Sequence, residues 1–296
     1  MVGSHDRHSR RVFLKEATVF ASALAAWHGA PLMACTPRSD SPGDDAKPKA
    51  APGEHRLLAL RLLTASPLDA MKAFYGGLLG LPILAHGADE ITIGAGLTRL
   101  TFARAREDQG TPWYHVAFNI PENKLFLARK WQLERTPLKP RPPSSTTHPD
   151  FSDVADFRNW NAHAVFFYDP AGNLLEYIAR HDLKNAAEGP FTSKDILHAS
   201  EIGLISRDVM ATSAELQSAL SWPVYRSAGP DFQPIGDAHG LIIVFPTGRN
   251  WGYADGRDRG TEICSTEVSV RGGQENVFGV PDLPYRIISA TSASLR

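Results

Sequence analysis

Ala162-His163-Ala164-Val165-Phe166-Phe167-Tyr168-Asp169-Pro170-Ala171-Gly172-Asn173-Leu174-Leu175-Glu176-Tyr177-Ile178-Ala179 is the stretch on which the fold of this chain turns. Two apolar, aromatic-rich runs, 162–168 and 174–179, flank a segment of Asp, Pro, Gly and Asn. Those four residue types are turn formers, so the stretch reads as a β-hairpin. If Asp169 to Gly172 form a four-residue loop, Tyr168 pairs with Asn173, Phe166 with Leu175 and Val165 with Glu176. Paired residues share a face, and so do residues two apart on one strand, so this register puts His163 on the face of Glu176. A one-residue change in loop length would separate them. Glu176 lies in an otherwise apolar strand. Its carboxylate therefore needs a metal, a cation or a hydrogen bond.

The hairpin ends a longer pattern. Residues 113–120, Trp-Tyr-His-Val-Ala-Phe-Asn-Ile, read as a strand. A helix is predicted from Glu122 to Glu134, and a Pro-rich loop from 136 to 150. The segment 136–158 is long enough to cover one mouth of a site. Upstream, a strand at 57–63, a helix at 68–80 ending at Gly80, and strands at 90–94 and 97–103 give the same order. Downstream it restarts with a strand at 201–205, a helix near 211–220, a turn at Gly236-Asp237 and a strand at 241–245. Strands at 267–270 and 285–289 follow. A recurring βαβββ unit makes this an α+β protein of about three modules forming cupped mixed sheets. The predicted organisation is a signal segment (1–35), a flexible linker (36–54), paired modules (55–185), and a third module plus C-terminal strands (196–296).

The repeat resembles the vicinal oxygen chelate superfamily, which includes glyoxalases, bleomycin-resistance proteins and extradiol dioxygenases. The residues that carry the likeness are Phe74-Tyr75-Gly76-Gly77-Leu78-Leu79-Gly80-Leu81-Pro82, His115-Val116-Ala117-Phe118 and Asp169 to Glu176. Gly236-Asp237, Gly240 to Val244 and Gly248-Arg249-Asn250-Trp251 extend it through the third unit. The resemblance implies a divalent metal held in a cup by residues of first and last strands. Carried over, it assigns ligands to His115 and Glu176 of the second unit. In the first unit Leu60 stands where a His is expected and Thr101 where a Glu is expected, so half the usual set is missing. His163 is one replacement, and Glu201, at the first-strand position of the third unit, is another if that unit packs near the second. A His, His, carboxylate set suits Fe(II) over Mn(II) or Zn(II). His115 alone also fits a hydrogen-bonded core histidine. Tyr114, Trp113, Phe118 and Trp160 fit either an aromatic substrate pocket or core.

The chain has 296 residues, 43% hydrophobic and 21% charged, with a net charge of -1. It offers no electrostatic reason to bind nucleic acid. Its two cysteines, Cys35 and Cys264, cannot form a disulfide framework. Ser9-Arg10-Arg11-Val12-Phe13-Leu14-Lys15, followed by a mostly apolar stretch to Ala34, resembles a twin-arginine export signal. Leu32-Met33-Ala34-Cys35 resembles a lipobox, with lipidation at Cys35. The expectation is a protein exported by the twin-arginine translocase and lipid-anchored in the periplasm or on the outer cell surface. A homodimer is compatible with it. Two functions stay open: a metal-dependent dioxygenase- or glyoxalase-type enzyme acting on a small oxygenated, aromatic compound, or a metal-free small-molecule binding protein of the bleomycin-resistance type.

Overall fold

A computed structural model describes residues 55–140, 146–226, 228–250, 259–272 and 275–290. The export motif at Arg10-Arg11 and the lipobox at Cys35 lie outside the described residues. Among the described residues no helix is long and apolar enough to cross a membrane.

The first unit comprises β1 (Arg56–Thr64), α1 (Leu68–Lys72), β2 (Ile83–His86), β3 (Glu90–Ala95) and β4 (Thr98–Arg104). Its helix continues as a π-helical segment, Ala73–Leu78, and Gly80 turns the chain away at φ +69°. The second unit has β5 (His115–Ile120), α2 (Leu125–Leu133), β6 (Thr147–His148), β7 (Phe151–Phe157), β8 (Ala162–Tyr168) and β9 (Leu174–Arg180). Residues 147–157, expected as loop, thus add two strands to the sheet edge. The third unit has β10 (His198–Ser206), α3 (Val209–Leu220), β11 (Gln233–Asp237) and β12 (Gly240–Pro246). β13 (Thr266–Arg271), β14 (Asn276–Gly279) and β15 (Tyr285–Ala290) follow.

These strands form two mixed sheets, built from βαβββ-like modules as the repeat predicts. One runs β14-β15-β13-β1-β4-β3-β2, the other β11-β12-β10-β5-β9-β8-β7-β6. The first and second units therefore do not share a sheet. β5 pairs antiparallel with β10, and β1 with β13. The second unit is joined to the third, and the first to the C-terminal strands.

Alternation along the strands divides the side chains. Leu60, Leu62, Leu100 and Phe102 of one sheet and Val116, Phe118, Tyr177, Ile202 and Val244 of the other fill a common core. Burial of each such side chain stabilises the fold by about 1.5–3 kcal/mol. The opposite face of the second sheet carries Ala117, Phe166, Ile178, Leu241, Ile243 and Phe245. That face is the cup.

Candidate metal centre

The hairpin register decides what faces into the cup. Tyr168 pairs with Leu174, Phe166 with Glu176 and His163 with Ala179. The loop thus holds five residues, Asp169 to Asn173, not four. Asp169 Oδ1 accepts from the backbone N–H groups of Ala171 and Asn173, and Oδ2 accepts from Asn173 Nδ2 and the Tyr75 hydroxyl. Asn173 Oδ1 accepts from Tyr114 N, so Asn173 serves the turn and is lost to the strand ladder. Burial, partly offset by these hydrogen bonds, raises the Asp169 pKa to about 6.

His163 is therefore on the opposite face from Glu176, which corrects the expected pairing of the two. Its Nδ1 lies 2.8 Å from His181 Nε2, and its Nε2 lies 3.8 Å from Asp156. Tyr114 also leaves the expected pocket. Its hydroxyl accepts from Leu63 N at 3.1 Å and donates to Ser265 O at 2.8 Å, tying β1 to the approach of β13. Trp160 does line the cavity, whereas Phe118 is core.

Three donors converge in the cup. Ala117 on β5 is flanked by Glu176 on β9 and Glu201 on β10, all on one face, and His115 lies two residues earlier on β5. Ligand atoms of His115, Glu176 and Glu201 all lie within 4.8 Å of one another, and all three residues are buried. His115 Nε2 is 3.3 Å from Glu176 Oε2 and 3.9 Å from Glu201 Oε2. His115 Nδ1 lies 3.1 Å from the Leu174 carbonyl oxygen. A carbonyl can only accept, so Nδ1 carries the proton there and Nε2 is turned to the carboxylates. Gly203 makes room: a Cβ there would stand 3.3 Å from Phe245 and 3.4 Å from His115.

Burial alone would depress the His115 pKa, but the hydrogen bond and charge of Glu176, with the charge of Glu201, raise it. Burial and the Glu176 charge push Glu201 up to about 7, against Arg180 and His115. Arg180 Nη2 donates to Glu201 Oε1, and Arg180 Nε donates to Asn119 Oδ1 at 3.1 Å. Arg180 was not among the expected site residues. The signal was in the sequence: it lies four residues beyond Glu176 on one strand, hence on the same face.

The donors fit a divalent ion. Bonds of about 2.1 Å put neighbouring ligand atoms roughly 3–3.5 Å apart; the His115–Glu176 separation of 3.3 Å falls in that range, and the His115–Glu201 separation of 3.9 Å is somewhat wider. Glu176 Oε1 is buried and has no hydrogen-bond partner among the described residues. A buried carboxylate oxygen left so is costly unless a cation takes it. The set is one imidazole and two carboxylates, not the two imidazoles and one carboxylate expected with His163.

The fourth place is apolar. Repeating the His115–Glu176 relation from Glu201 leads through Gly203 to its partner Ile243. The first sheet repeats the geometry without the chemistry. There Arg61 stands between Thr101 and Glu267, with Ala59 two residues before it. Thr101 matches Glu176 as expected, but Ala59, not Leu60, matches His115, because Leu60 points into the core. Arg286 pairs with Glu267 and Arg61 with Glu90.

The centre opens into a cavity of about 410 Å³. Phe157, Trp160, Phe166, Phe232 and Phe245 give it aromatic walls, and Arg158, Arg249 and Asn250 also line it.

No family model and no curated protein matches the chain. Among solved structures, it is similar to a "putative dioxygenase" from Bacillus subtilis subsp. subtilis str. 168. That likeness has a TM-score of 0.52 and 16% identity over 81% of this chain and 86% of that one. Glyoxalase I from Zea mays aligns with a TM-score of 0.44 and 13% identity over 81% of this chain and 93% of that one. The fosfomycin resistance protein FosX from Listeria monocytogenes, complexed with Mn(II) and sulfate, aligns over 40% of this chain and 85% of that one. Its TM-score is 0.30 and its identity 16%. What the chain shares with the first of these structures is a fold, two mixed sheets built from βαβββ-like modules.

Proposed function

We propose that this protein is a metal-dependent enzyme of dioxygenase or glyoxalase type, acting on a small oxygenated compound with a planar, aromatic part. The observation that carries the proposal is the convergence of His115, Glu176 and Glu201, with Glu176 Oε1 lacking a hydrogen-bond partner among the described residues. His115 Nε2, Glu176 and Glu201 Oε2 would hold the ion. One nitrogen and two carboxylates suit Mn(II) or Fe(II) better than Zn(II). The preference for iron that the sequence suggests needs a second imidazole, and the set holds only one. A bound ion supplies Lewis acidity, lowering the pKa of a substrate hydroxyl. The chain's own residues do the rest. Leu174 O fixes the His115 tautomer, and the phenyl rings of Phe166, Phe232 and Phe245 shed water and accept a ring face.

The test is metal analysis of protein folded in the cytoplasm, followed by titration. About one equivalent of Mn or Fe is expected. Less than about 0.1 equivalent of any divalent metal, with no rebinding, overturns the proposal.

A second reading, a metal-free binding protein, is favoured by Ile243 at the fourth place and by Arg180 pairing with Glu201. It predicts no metal uptake, together with quenching of Trp160 fluorescence by small planar compounds.

Export is part of the proposal. Support comes from Arg10-Arg11 and Cys35 in their sequence context, and the chain would act beyond the inner membrane on a lipid tether. Replacing Arg10 and Arg11 by Lys should leave the protein in the cytoplasm. Unchanged export would contradict it.

A further inference from the structure

Arg180 is the last residue of β9 and one of the largest fully buried side chains of the described residues. A buried guanidinium demands partners, and those of Arg180 are specific. Nη2 takes Glu201 Oε1, while Nε takes Asn119 Oδ1. Asn119 is itself buried and anchored, since its Nδ2 donates to Ala238 O at 2.8 Å. The guanidinium also lies 5.2 Å from the ring centre of Trp160 and 5.8 Å from that of Tyr225. Two of its three nitrogens are thus braced, Nη1 has no hydrogen-bond partner among the described residues, and two aromatic rings lie beside it.

The consequence falls on Glu201. With Oε1 engaged by Arg180, the carboxylate turns Oε2 toward His115 Nε2, 3.9 Å away. We propose that Arg180 is a positioning residue for the metal centre, using the Asn119 brace to make Glu201 a single-oxygen donor aimed at the ion. This rests on the metal-dependent reading above. Two effects of Arg180 oppose each other. As a nearby cation it repels a divalent ion, and as a brace it places a ligand. The sign of the change on its removal tells which one governs.

The experiment is titration of Mn(II) into the parent, Arg180→Met, Arg180→Lys and Asn119→Leu proteins. Free Mn(II) is counted by electron paramagnetic resonance, and folding is checked by circular dichroism. If Arg180 positions Glu201, Arg180→Met weakens binding by about 10–100-fold, the cost of losing an outer-shell partner. Arg180→Lys recovers part of that loss, because an ammonium can reach the carboxylate but cannot hold Asn119 as well. Asn119→Leu weakens binding with no change of charge. Should Arg180→Met not fold, Asn119→Leu decides by the same sign. Equal or tighter binding in Arg180→Met, or in Asn119→Leu if that one stands alone, overturns the proposal while leaving the metal centre intact. A parent protein that binds no Mn(II) overturns both.

Discussion

His115 Nε2 faces Glu176 Oε2 at 3.3 Å across neighbouring parallel strands, while the other ring nitrogen is held by the Leu174 carbonyl. This pair supplies two of the three donors, and the second oxygen of Glu176 has no hydrogen-bond partner among the described residues. His115→Ala and Glu176→Gln should each weaken Mn(II) binding by more than the about 100-fold that an outer-shell change can cost. Calorimetric titration measures this. Parent-like binding by both variants would place the ion elsewhere.

Glu201 and His163 give a sharper contrast. Glu201→Gln should lose metal affinity on the same scale, whereas His163→Ala should stay within about twofold of the parent, since outer-shell costs begin near tenfold. His163 faces His181 and Asp156 on the far side of the sheet. The reverse ranking of the two variants would restore the four-residue loop register.

The hairpin, the repeat and the α+β class were legible because turn chemistry and apolar alternation are local. What could not be read was one residue of register. The length of the loop depends on Asp169 capturing two backbone N–H groups and on Asn173 being recruited by Tyr114, 59 residues away in sequence. Nor could the neighbour of β5 be read. Glu201 reaches the site only because β10 pairs with β5, a contact across more than eighty residues that no periodicity encodes. Arg180 was readable by alternation, but its partner Glu201 lies on β10, a strand whose pairing with β5 the sequence leaves open.

Tyr114 should matter for stability and not for metal. Its hydroxyl satisfies Leu63 N and Ser265 O. Tyr114→Phe leaves that donor and that acceptor with no partner in a partly buried place, which costs about 1–3 kcal/mol. Urea unfolding should show the loss, with Mn(II) affinity unchanged. A fall in affinity without a fall in stability would put Tyr114 back in the pocket.

His198 supplies a pH dependence. Burial, with the charges of Arg56 and His239, lowers its pKa to about 4 from the ordinary 6.5. Between those two values the unfolded chain binds more protons than the folded one, so stability rises with pH and is fully restored above about 6.5. The cost at pH 4 has an upper bound of about 3 kcal/mol. Asp169, raised to about 6, works in the opposite direction between about pH 4 and 6. The comparison is therefore the difference between His198→Asn and the parent. The variant should lose less stability than the parent between pH 7 and pH 5. Parallel profiles would mean that His198 is not held neutral.

The claim that His115, Glu176 and Glu201 form one metal centre is tested most directly by anomalous diffraction from crystals soaked in Mn(II). The prediction is a single strong peak in the cup, within about 2.0–2.5 Å of His115 Nε2 and of an oxygen from each carboxylate. No peak there, with Glu201 still bound only to Arg180, would contradict the account.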